Sequence, residues 1–134
     1  MLFRSAKAML PERSENPVAA EFFVTLLHAA TSGHILHLQT RSYAQHKALD
    51  DFYSGLPDLA DSVIEAYQGK YGLVLDYPSG YEVPTSTPLE FVSALSDYVA
   101  SARGNIAPDS EIQNLIDEVA DLIDRKSTRL NSSH

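Results

Sequence analysis

Five side chains between residues 34 and 65 have the types and spacing for metal chemistry: His34, His46, Asp50, Asp61 and Glu65. His46 and Asp50 stand four residues apart, and so do Asp61 and Glu65. On an α-helix this spacing puts two side chains one turn apart on the same face. Imidazole and carboxylate donors without thiolates suit iron or manganese better than zinc. His37 adds a further nitrogen donor upstream. At 100° per residue, with His46 as zero, Asp50 falls at about 40°, Asp61 at about 60° and Glu65 at about 100°. The two pairs share one arc, yet Asp50 and Asp61 are separated by about 16 Å along the axis. One ion cannot reach both pairs of one chain. Two copies packed antiparallel would set His46 and Asp50 of one against Asp61 and Glu65 of the other. A metal site built this way lies on a two-fold axis of a homodimer and occurs twice.

The pattern His34-x11-His46-x3-Asp50-Asp51-x-Tyr53, followed by Asp61-x3-Glu65, resembles the ferroxidase segment of the miniferritins, the Dps family. The resemblance implies Fe(II) oxidation for iron storage or detoxification, at sites shared between subunits. His34, His46 and Asp50 of one chain would face Asp61 and Glu65 of its two-fold partner, in a homo-oligomer that is a dodecamer by resemblance. The close match covers residues 34–65; the rest matches only as a helical pattern. Ile35 stands where the family carries Trp, and Gln39-Thr40-Arg41 replaces its Gly-containing bend. Pro57 falls between the two pairs, where an interior proline costs about 3 kcal/mol and kinks a helix. The chain also resembles phage-encoded helical proteins of unknown function. That second resemblance implies a ferritin-like module with an interaction or structural role and no catalysis. In the plainest reading the histidines and acids form only a solvated helix face.

The elements that must position these residues are helical. Asn16-Pro17 is an N-cap with proline at the first helical position, and Val18, Phe22, Leu26 and Ala30 recur at helical spacing as far as about Leu38. A second helix is expected from residues 41–43 to about Gln68, with Gly69 and Gly72 as stop signals. Its apolar positions surround much of its circumference, which suits packing on two sides. Tyr53 and Tyr67 are core or interface aromatics, with a secondary reading as redox-active neighbours of an iron site. Residues 73–86 hold two prolines and a glycine and read as a long irregular crossover. Thr87-Pro88-Leu89-Glu90 is a capping box that opens a third helix ending near Gly104. Asp109 or Ser110 caps a fourth, with an apolar stripe from Ile112 to Ile123. The expected fold class is all-α: a ferritin-like four-helix bundle with one long crossover.

The last eleven residues, DRKSTRLNSSH, read as the in-frame translation of a common sequencing adapter. On that reading the domain runs from 16 to 123 behind an N-terminal arm of residues 1–15. The fourth helix is then truncated, and residues 124–134 form a non-native tail with few contacts to the body. The alternative is a native polar tail. Without Asp124, Arg125, Lys126 and Arg129 the charge falls from −8 to −10, with 7 basic and 17 acidic residues. Such acidity argues against DNA binding through the general surface. The N-terminal arm sets Arg4, Lys7 and Arg13 against Glu12 and Glu15, too little to change this. With no cysteine, disulfides and thiolate sites are excluded, which fits a reducing cytoplasm. No apolar run approaches the ~18 residues of a membrane span. No nucleophile-elbow, Walker or dinucleotide pattern occurs, so hydrolase, NTPase and dehydrogenase readings have no support.

Overall fold

The computed structural model of the chain describes residues 14–132, so the expected arm lies almost wholly outside the described residues. The described residues form four α-helices: α1 (Pro17–Gln39), α2 (Tyr43–Tyr71), α3 (Pro88–Ala102) and α4 (Ser110–Asn131). A 3₁₀ turn, Arg103–Asn105, extends α3. Among the described residues there is no strand, only an isolated bridge at Leu73.

Local chemistry sets most of the ends. The Asn16 side chain accepts from Val18 N and Ala19 N, and Pro17 follows it. Ser42 accepts from Gln45 N at the start of α2. Thr87 and Glu90 form both halves of the capping box on α3. α2 continues through Gly69 and stops at Gly72, whose φ of 103° lies in the left-handed region that favours glycine. It also runs unbroken past Pro57, which sits exposed on its outer face. There the Tyr53 carbonyl, deprived of its amide partner by the proline, is placed to meet water. Asp109 occupies the N-cap position of α4 without a capping bond. Its carboxylate is engaged by Lys70 at 2.7 Å and by the Tyr71 hydroxyl, tying the end of α2 to the start of α4. The Lys70 ammonium, then Tyr71, hold the Asp109 carboxyl below its ordinary range.

Contacts give the order of packing. α1 and α4 each contact both α2 and α3, so α2 and α3 occupy opposite corners. Arg103 at the end of α3 bonds Asp117 near the start of α4, and Ser96 bonds Asp124 further along, so α3 and α4 are antiparallel. Lys70 meets Glu111 while Asp51 meets Arg129, so α2 and α4 are antiparallel too. α2 and α3 therefore run parallel, and residues 72–87 cross the length of the bundle between them, as expected. The core is one cluster drawn from all four helices, with Phe22, Phe23, Phe52, Leu56, Val92, Ile112 and Ile116 among its members.

The expectation that residues beyond Ile123 make few contacts with the body is corrected. α4 runs to Asn131, and Leu130 is fully buried in the core cluster. The stripe Ile112, Ile116, Val119, Ile123 continues by the same steps of three and four to Lys126 and Leu130. Lys126 lays its stem along the bundle, its side chain 14% exposed, and puts its ammonium 3.6 Å from Asp51. Arg129 reaches the same carboxylate at 2.7 Å, and this hydrogen bond above all lowers the pKa of Asp51. With 22 residues, α4 is about 33 Å long, against about 35 Å for α1. Residues 124–131 of the segment expected to be an idle tail are about the last two turns of a core helix. Leu130→Ala should therefore lower the unfolding free energy by about 2–4 kcal/mol, read by urea denaturation. No change would mean that residues beyond Ile123 are not part of the fold.

Candidate functional site

Gly33 decides how α1 meets α2. It is buried, and a Cβ there would stand 2.6 and 2.8 Å from two carbons of the fully buried Phe52 ring. The missing side chain lets the two helices approach closely and brings the neighbouring residues of each into ring contact. His34 lies flat on Tyr53, centroids 4.0 Å apart with 8° between planes. One turn on, His37 stacks on His46 at 3.6 Å and 24°.

The His37–His46 pair is a reciprocal clasp. His37 Nδ1 bonds the carbonyl oxygen of His46 at 2.8 Å, and His46 Nδ1 bonds that of His37 at 3.0 Å. A carbonyl only accepts, so both Nδ1 atoms carry the proton and both Nε2 atoms are left outside the clasp. The His37 carbonyl lies in the last turn of α1, where no later helical amide reaches it. His46 therefore caps the C-terminal end of α1 from the next helix. His37 is buried and His46 half-buried. Thr40 and Gln45 bridge the intervening turn at 2.6 Å.

Asp50 is engaged as well. Desolvation, then the hydrogen bond and charge of Asp50, push the Tyr53 phenol above its ordinary pKa.

Of the three residues expected to converge, His34 and Asp50 both act on Tyr53, and His46 stacks on His37, whose ring lies 6.0 Å from that of His34. Among the described residues no three His, Asp or Glu side chains form a group that could hold a metal ion. Asp61 and Glu65 are exposed and lie on the outer face of α2, as their spacing predicts. The central role of His37 was not foreseen; its burial among α1 residues facing α2, at i+3 from His34, was the available signal. Gly33 gave a second one, a glycine kept inside a helix at a cost of about 1 kcal/mol.

Architecture and comparison together place the molecule. It is an all-α four-helix bundle with one long crossover, and no helix among the described residues is long and apolar enough to cross a membrane. The chain belongs to a family of unknown function, DUF5856, whose model matches residues 37–130. The matched region thus includes the clasp, the crossover and α4 through Leu130. The chain is also 34% identical over 110 residues to an uncharacterized 14.6 kDa protein of Enterobacteria phage T4, from the mobD-ri intergenic region. That match covers 80% of this chain and 84% of the relative. No solved structure matches. These matches agree with the phage-type resemblance rather than the miniferritin one.

Gly33→Ala tests the close approach. Despite the better helix propensity of alanine, the added methyl must displace Phe52, and the unfolding free energy should drop by about 1–3 kcal/mol. A stabilised variant would show that α1 and α2 are not held at this distance.

Proposed function

We propose that the protein is a non-catalytic helical interaction module whose working unit is a pair of chains joined across the outer face of α1 and α2. The observation that carries this reading is the make-up of that face. Leu27 (42% exposed) and Leu38 (70%) share the outer arc of α1 with His34, and Tyr43 (76%) shares that of α2 with Asp61. Large apolar side chains gathered on one face are the usual mark of a protein partner. Charge selects the partner. On this face the first turns of α2 and the turn before them carry Arg41 and Lys47 against Asp50, whereas its second half carries Asp58, Asp61 and Glu65. A face so polarised is complementary to itself under an antiparallel two-fold axis. Sedimentation of the full chain should show a dimer that weakens with salt. Lys47→Glu should loosen it about five- to tenfold, and Lys47→Glu with Asp61→Lys should restore it. A monomer at every concentration, or indifference to the charge swap, would sink this reading.

A second reading adds iron to the same pairing, favoured by the exposure of Asp61 and Glu65 on the face that carries His34. Fe(II) would be a substrate held by donors of two chains, as the miniferritin resemblance implies. Replacing both Asp61 and Glu65 with Ala should then abolish Fe(II) oxidation and leave helicity intact. The mixed dimer of that variant with His46→Ala/Asp50→Ala should regain about half the parent activity, since one of its two shared sites is complete. No oxidation by the parent would leave the interaction module alone standing.

A further inference from the structure

α1 and α3 are the most loosely packed neighbours in the bundle, and the crossover fills only part of the gap between them. What remains is an open cleft of ≈ 480 Å³, within the size range of small-molecule sites. We infer that this cleft binds a small organic ammonium ion with an apolar body.

The cleft is built rather than left over. Gly80 has a φ of 99°, a conformation that L side chains rarely adopt, and it turns the crossover back toward α1. Tyr81 follows it and forms the roof. Its hydroxyl lies 2.9 Å from the hydroxyl of Ser32, which is buried on α1. Its ring meets His28 edge-on, with centroids 5.0 Å apart and 68° between planes. Two independent contacts thus fix the roof, while Phe91 and Leu95 of α3 supply an apolar floor.

Charge chooses the ligand. Glu82 is the only carboxylate among the lining residues, and no Lys or Arg is present there. The whole chain carries −8, so a carboxylate or phosphate ligand would meet repulsion near and far. An ammonium group gains the Glu82 carboxylate and the faces of Tyr81 and Phe91, which attract cations through their ring quadrupoles. Its apolar body would cover Leu95 and Phe91. The cleft shares no residue with the α1/α2 face, so its test stands apart from that of dimerisation.

The probe is phenethylamine, an ammonium ion at neutral pH, titrated into the ¹⁵N-labelled full chain. 3-Phenylpropionate, of similar size and opposite charge, is the control. Saturable amide shifts are expected at residues 28–32, 80–82 and 91–95, with a dissociation constant of about 1 mM, as suits so small a ligand. Glu82→Gln, a change at an exposed position, should weaken binding about three- to fivefold. No saturable shift by about 20 mM, or shifts centred elsewhere, would overturn the site. Equal binding of 3-phenylpropionate, or unchanged affinity in Glu82→Gln, would overturn the assignment of an ammonium ligand.

Discussion

The close passage of α1 past α2 is the constraint on which the remaining structure depends. At Gly33 the backbone of α1 rests against the Phe52 ring, and no other residue type allows this without moving a fully buried aromatic. With the distance set there, the short turn between Gln39 and Tyr43 closes and the His37–His46 clasp forms beside it. The opposite end of the hairpin is fastened by Ser14, whose amide donates to the Leu73 carbonyl at 2.6 Å and whose hydroxyl meets that of Tyr67. α4 then packs along α2, pinned by Asp109 at one end and Asp51 at the other. α3 is the short helix, with 15 residues, and its place is set by α4 and by the length of the crossover.

The histidines illustrate why residue type and spacing underdetermine chemistry. A His four residues before an Asp reads equally well as a chelate and as a pair with separate duties. Here the duty of His46 is set by a carbonyl at the end of another helix, a need invisible in its own segment. Once Nδ1 is given to that carbonyl and the ring is stacked on His37, the ring's direction is fixed by packing. Its Nε2 remains available, which is why a site completed by a second chain is a coherent proposal although no three-donor group forms within the described residues of one.

Much of the fold was legible because it is written locally. Asn16-Pro17 and the Thr87–Glu90 box stop and start helices through bonds within a few residues, and the prolines at 78 and 84 keep residues 72–87 irregular. The arc shared by His46, Asp50, Asp61 and Glu65 was legible for the same reason, since α2 is continuous through Pro57. What escaped was tertiary. Asp109 has the type and position of a cap, but two side chains from α2 claim its carboxylate. Tyr81 gives no sign in sequence that Ser32, 49 positions earlier, lies beneath its hydroxyl.

Leu130 makes the sharpest case. Its segment reads by composition as a polar appendage, with one large apolar residue among Lys, Arg, Ser, Thr and Asn. A helix face does not register composition; it registers period. Leu130 stands seven residues after Ile123 and fourteen after Ile116, which returns it to the same side of α4 after whole numbers of heptads. Between them Lys126 covers the seam with its methylenes and gives its charge to Asp51. Once α4 has begun, each further turn needs only one apolar residue on the inner side and tolerates almost anything outside. The last turns of α4 therefore follow from where Ile112 placed the stripe, and a polar majority on the outer face does not oppose them.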